Sequence, residues 1–237
     1  GGGGPRGGKG GGGGGPVLAQ AGLWARCSEK KDGASMRDPR GVCVDGAHVY
    51  VAFYGAGRVV AFDKGTLEPV AAVGSTGYGP GGLRGPTGLA VGPGGRLYVC
   101  DRNNNRVQIF DTADVLGKEG RGLLKRGKGS GGGGGGGPQA VASLNLVPDG
   151  SRRTLYSPID VEVDEERVYV VCAFPHWGVR TWRREGLVPL GLVGTEAETA
   201  YAVGLGVFRG LLYGEAFDGP EGAGGGGEAE AAGKRMV

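Results

Sequence analysis

The stretch from Pro86 to Asp111 recurs along this chain at a near-constant spacing, and a fixed period decides architecture before any single residue does. It reads as three short apolar runs: Gly88 to Val91, Arg96 to Cys100 and Arg106 to Phe110. Gly92-Pro93-Gly94-Gly95 separates the first two, and Asp101 to Asn105 separates the second from the third. Runs of about five residues, rich in β-branched and aromatic types and bounded by Gly, Pro and Asn, predict an antiparallel meander.

Pro39 to Asp63 repeats the pattern, so that Tyr50 answers Tyr98, Arg58 answers Arg106 and Phe62-Asp63 answers Phe110-Asp111. A third copy starts at Pro158, with Tyr169 in the matching place and Gly178 where the other two carry arginine. A fourth, fading copy covers Ala202 to Ala216. Fourth strands are expected at Pro69 to Val73 and at Val188 to Val193. For the second unit, Leu123 to Lys125 and Ala140 to Leu146 both qualify. Four short antiparallel strands in a unit of roughly 45 residues make the sheet of a propeller blade. A single sandwich with chance internal similarity is the competing architecture.

Proline before the inner strand, Val-Tyr-Val or Leu-Tyr-Val in the second strand and Asn-Arg-Val-Gln-Ile-Phe-Asp in the third resemble the NHL-repeat family of β-propellers. The most specific match is Cys100-Asp101 followed by Arg102-Asn103-Asn104-Asn105-Arg106-Val107. The resemblance covers Pro39 to about Val193 well and Ala200 to Pro220 poorly. It implies a ring, commonly of six blades, whereas three blades and part of a fourth are legible. The expected fold is therefore all-β, an incomplete or open β-propeller of four-stranded antiparallel blades.

Glycine supplies 57 of 237 residues, and runs such as Gly10 to Gly15, Gly131 to Gly137 and Gly224 to Gly227 hold most of the excess. They lack a collagen period and cannot bury enough apolar surface to offset their ordering entropy. The expected organisation is a Gly-rich disordered segment over 1–16, propeller blades over 17–219 with a Gly-rich insertion near 118–138, and a disordered tail over 220–237. Val17 to Trp24 either completes the fourth unit or belongs to a blade outside this sequence. The chain does not begin with methionine, and it is expected to be a piece of a larger protein.

The net charge of +3 is uneven. Residues 117–138 carry +4 and residues 1–16 carry +2, so the foldable part is slightly acidic. RNA would meet nonspecific phosphate contacts in the loose basic segments, although solvated linkers explain them more simply. Four dispersed cysteines without a CxxC spacing suit buried small hydrophobes in a reducing, cytoplasmic compartment. No apolar run approaches the length that spans a bilayer, so no membrane partner is expected.

In a meander, the second-to-third connections and the blade-to-blade connections fall on one rim. That rim gathers Tyr54, Arg102, Asn103, Asn104, His176 and Trp177, a mixture suited to binding a protein. The asparagines also suit a tight turn. Arg58 and Arg106 open their strands and are expected to be structural, donating to loop carbonyls or to a carboxylate such as Asp101. Asp45 and Asp164 are expected to cap turns.

Related propeller lactonases and amidating lyases hold axial metals, and they define the alternative, a metal-dependent hydrolase or lyase. Only His48 and His176 are present, which rules out a three-histidine zinc centre within this sequence. Asp, Glu and Asn are numerous enough for calcium. No catalytic residue, metal ligand or cofactor is assigned. The leading reading is a noncatalytic module that recognises a protein, placed by the resemblance as the substrate-recognition part of a RING-type ubiquitin ligase.

Overall fold

Short β-branched runs form strands here because their side chains pack on a pleated surface, and their turns close through identifiable groups. The computed structural model describes residues 36–125, 137–145, 155–173, 178–193, 202–208, 211–216 and 234–236. The first sheet is a meander of β1 (Pro39–Val44), β2 (His48–Phe53), β3 (Arg58–Asp63) and β4 (Pro69–Val73), paired in that order. Its first turn is closed by Asp45, whose Oδ1 accepts from the Ala47 and His48 amides at 2.8 and 2.7 Å. Oδ2 accepts the Tyr50 hydroxyl at 2.9 Å, which fastens the turn to the middle of β2.

A two-strand link, β5 (Ser75–Thr76) beside β6 (Gly82–Leu83), leads to the second sheet. That sheet contains β7 (Pro86–Gly92), β8 (Arg96–Asp101) and β9 (Arg106–Asp111). The first turn here has no aspartate. Gly94 and Gly95 instead take positive φ values of 74° and 68°, which residues with a Cβ adopt at a cost. After β9 the chain forms two helices, α1 (Thr112–Leu116), capped by Asp111, and α2 (Lys118–Lys125). The second sheet is then completed by β10 (Ala142–Leu144). This settles the two candidates for its outer strand: Ala140 to Leu146 contains it, whereas Leu123 to Lys125 is helical. Part of the expected basic insertion is thus ordered as α2, which packs on β4.

The third sheet comprises β11 (Pro158–Val163), β12 (Arg167–Cys172), β13 (Gly178–Arg183) and β14 (Val188–Leu192). Asp164 repeats the arrangement at Asp45, accepting from the Glu166 and Arg167 amides and from the Tyr169 hydroxyl. In the fourth sheet, β15 (Ala202–Phe208) and β16 (Leu211–Ala216) pair with β17 (Lys234–Met236). This last strand lies inside the stretch 220–237, where the sequence suggested an unstructured tail. Val17 to Trp24 lies outside the described residues.

The inner strands β1, β7, β11 and β15 follow one another around an axis. Each of β1, β7 and β11 shifts register just after its opening proline. Close approach there needs glycine: a Cβ on Gly41 would strike the Thr87 carbonyl, and one on Gly88 would strike Asp160. Between the first two sheets lie Tyr50, Val59, Leu89, Leu97, Val99 and Phe110. Tyr98, Val107, Ile109, Val161, Val168 and Trp182 fill the next gap. Each large side chain buried this way contributes about 1.5–3 kcal/mol. Face-to-face blades about common inner strands are a β-propeller, and the array is open, with Val42 and Val44 exposed on β1. Tyr50, Tyr98 and Tyr169 occupy matching sites in three successive sheets, each buried. None of the described helices is long and apolar enough to cross a membrane.

Candidate interaction rim

Because alternate strands run the same way, the β2–β3 and β8–β9 connections and the β4-to-β7 link share one rim. Each strand connection is a single 3-10 turn, Tyr54–Ala56 or Arg102–Asn104, ending on a left-handed residue, Gly57 at φ 63° or Asn105 at φ 55°. Asparagine accepts this backbone because its side chain finds local partners. Here the Asn105 carboxamide oxygen accepts the Ser157 amide at 2.9 Å, reaching the start of the third sheet.

Asp101 is the hub of the second blade's rim, and it has no solvent exposure. Its Oδ1 accepts the Arg84 amide at 2.7 Å. Oδ2 accepts from Arg106 Nε and Asn104 Nδ2, both at 2.8 Å, and from Gln108 Nε2 at 3.1 Å. Those donors then hold the blade-to-blade link: Arg106 Nη2 donates to the Gly79 and Gly82 carbonyls, and Asn104 to that of Gly77. Gln108 receives the Gly81 amide and donates to the Gly82 carbonyl. One buried carboxylate thereby fixes residues 77–84. Gln108 stands between Val107 and Ile109 in β9, and its place in the network depends on the link at 79–82 folding back towards it.

On this base stand the exposed groups. Tyr78 is 72% exposed, and the Arg84 guanidinium lies 4.7 Å from its ring centroid while donating to its hydroxyl at 2.7 Å. Tyr54 receives a hydrogen bond from Asn103 Nδ2 at 3.1 Å, with the Arg40 guanidinium 5.2 Å from its ring centroid. Gly85 permits this, since a Cβ there would meet the Tyr54 ring and the Asn103 amide. Arg102 Nε donates to Ser157 Oγ at 3.0 Å. The structure therefore brings Tyr54, Arg102, Asn103 and Asn104 to one rim, with Asn104 acting inward on Asp101. His176 and Trp177 lie outside the described residues. Tyr78 and Arg84 belong to the blade-to-blade link that strand alternation assigns to this rim, and Arg40 joins it through its contact with Tyr54.

Arg106 donates to Asp101 and to the Gly79 and Gly82 carbonyls, whereas Arg58 shows no such bonds among the described residues. Phe53 occupies the place of Asp101 in the first blade, and Arg58 Nε and Nη1 are buried without an acceptor among the described residues. Burial lowers the pKa of this guanidinium. Burial likewise raises the thiols of Cys43, to about 12, and Cys172, to about 11, and lifts Cys100 well above its ordinary value. Such thiols are poor nucleophiles. Among the described residues no three His, Cys, Asp or Glu side chains group as metal ligands.

Residues 83–110, which contain the hub, match the family model of the NHL repeat. The chain carries an NHL repeat there. Over 43 residues it is 51% identical to Protein lin-41 of Caenorhabditis elegans, a match spanning 18% of this chain and 4% of that protein. Among solved structures, Kuenenia stuttgartiensis hydrazine synthase resembles it over 78% of this chain and 44% of that chain, with a TM-score of 0.54 and 13% identity. A functionally unknown protein from Desulfotomaculum acetoxidans resembles it over 71% of this chain and 43% of that one, with a TM-score of 0.46 and 14% identity. The likeness to hydrazine synthase is one of fold alone. This chain spans less than half of either matched structure and a small fraction of lin-41.

Proposed function

We propose that the chain is a noncatalytic NHL-repeat propeller scaffold that recognises a protein partner through the rim of its first two blades. The observation that carries this reading is the Asp101 network, which holds the link 77–84 rigid beneath Tyr78 and Arg84. A pre-organised aromatic and arginine surface can bind without first paying to order its own loop, and such groups tend to dominate interface energies. The likeness to lin-41 and to NHL repeats supports a finer reading, in which the module selects substrates for a RING-type ubiquitin ligase. The ligase activity itself would reside in a RING domain elsewhere.

The test is a cross-linked pull-down of partners by the wild type and by a Tyr78→Ala, Arg102→Ala double variant, with Lys64→Ala on the opposite face as control. Each rim substitution is expected to weaken a true partner by about 2 kcal/mol, while melting temperatures stay together. Equal recovery of every partner by all three proteins would refute the rim as the binding surface.

A further inference from the structure

Charge is sorted between the two faces of the first two blades. Their described rim residues include Arg37, Arg40, Arg58, Arg84, Arg102 and Arg106, against the carboxylates Asp38 and Asp101. The turns of the opposite face carry Asp45, Asp63, Glu68, Asp111 and Asp114, against Lys64 and Arg96. A slightly acidic body thus presents one cationic side. Both rim carboxylates are already bridged, Asp38 to Arg40 at 2.9 Å and Asp101 to Arg106 at 2.8 Å. Arg84 and Arg102 are held in another way: Arg84 Nη1 donates to the Tyr78 hydroxyl at 2.7 Å, and Arg102 Nε to Ser157 Oγ at 3.0 Å. A hydroxyl fixes a guanidinium without cancelling its charge, and each bond engages one of five N–H donors. The Asn103 amide donates to the Arg84 carbonyl at 3.0 Å, so the two side chains leave neighbouring stretches of backbone. From there Arg84 leans along the link and Arg102 reaches towards the third sheet. Both are half-buried, which orders them while leaving them open to a partner.

We propose that the rim takes an acidic stretch of the partner protein, whose Asp or Glu carboxylates pair with Arg84 and Arg102. This deepens the reading of the rim as a protein-binding surface and rests on it. A carboxylate meets the edge of a guanidinium, where the planar fork offers parallel donors. Single-stranded nucleic acids are held instead by stacking bases on aromatic faces. Here the Arg84 and Arg40 guanidiniums lie over the Tyr78 and Tyr54 rings, at 4.7 and 5.2 Å from their centroids, and cover one face of each. The opposite face, with its excess of carboxylates, repels the same acidic chain, so charge also sets which side is approached.

The probe is a C-amidated hexaglutamate peptide with a fluorophore on its N-terminus, and hexaglutamine and a uridylate hexamer with the same fluorophore are the neutral and phosphate-bearing comparisons. Binding to the full chain is followed by fluorescence anisotropy. Hexaglutamate is expected to bind the wild type, and Arg84→Gln and Arg102→Gln each to bind it at least fivefold more weakly at an unchanged melting temperature. Lys64→Gln, on the opposite face, is expected to match the wild type, and hexaglutamine not to bind. Equal affinity in both arginine variants would overturn the proposal. So would uridylate binding more tightly than hexaglutamate and weakening with the same substitutions, which would make the rim a nucleic-acid surface. Should either variant melt lower, the Tyr78 ring-proton resonance of the wild type decides, assigned through its loss in Tyr78→Ala. Hexaglutamate is expected to move it, and an unmoved resonance at saturation would overturn the site. If the rim double variant loses a partner in the pull-down while hexaglutamate binding ignores Arg84 and Arg102, only this inference fails. If those arginines capture the peptide but the double variant recovers every partner, the acid-binding site stands and the rim reading fails.

Discussion

Replacing Asp101 with alanine removes four acceptor interactions at once and leaves the Arg106 guanidinium without its counter-charge. Arg106 is 16% exposed and Asp101 not at all, so water cannot substitute freely. Breaking a buried pair by deleting one member costs about 3–5 kcal/mol, because the surviving charge is stranded. For a chain of this size that corresponds to a fall in melting temperature of roughly 6–20 °C. Asp101→Asn is expected to fare little better. Its amide would turn a donor, in place of Oδ2, towards Asn104, Arg106 and Gln108, all of which also donate. Urea denaturation measures the loss. Limited trypsin digestion locates it, since the Arg84 amide bonds Asp101 and release of the link should expose the Arg84–Gly85 bond. A destabilisation below about 1 kcal/mol, with Arg84–Gly85 still protected, would mean that the hub does not hold the link.

Val99 is fully buried between the first two sheets, so Val99→Asp should cost more than about 3 kcal/mol and abolish a single cooperative transition by circular dichroism. At Asp45, burial pushes the carboxyl up, but the Ala47 and His48 amides and the Tyr50 hydroxyl outweigh it and hold the group below its ordinary 3.8. Its contribution is therefore present above about pH 4 and lost as pH falls through the depressed value, and Asp45→Asn should flatten that part of the acid limb. Burial, and then the bond to Asp164, push Tyr169 up to about 12. That contribution is complete below about pH 10 and lost as pH rises through 12, so phenolate absorbance should show one late-titrating tyrosine missing in Tyr169→Phe. A full set of tyrosines ionising together near pH 10 would contradict the Asp164 bond.

The blades were legible because their signals are local. A period of two, a Tyr at a matching place and turns built from Asp, Asn or Gly each lie within a few residues of one another. The rim was legible as a direction: strand alternation alone places Tyr54 and Arg102 to Asn104 on one face. The bond from Arg106 to Asp101 was expected from sequence, but the rest of the network was not, because Asp101 reaches Arg84 across a fold-back of the chain that no periodicity encodes. The helices α1 and α2 escaped notice for a related reason. Two glycines within Lys118–Lys125 make a poor isolated helix, and packing on β4 stabilises it. Arg58 shows the limit of reading by repeat: equivalence to Arg106 forecast partners that Phe53, at the Asp101 position, does not provide.

The outermost strands differ in how they meet solvent, and each difference bears on self-association. An uncovered strand edge presents unpaired amides and carbonyls to any other chain. Along β4 that edge is shielded by α2, which packs so close that a Cβ on Gly120 would lie 3.1 Å from the Ala72 carbonyl. At β10 only three residues are offered. In β14 the apolar residues Val188, Leu190 and Leu192 are exposed, but Pro189 has no amide to donate and Gly191 bends the backbone at φ 128°. Open as it is around its axis, the array is thus guarded along its circumference, so growth by edge-to-edge strand addition into fibrils is opposed at each of these three blades by a different device.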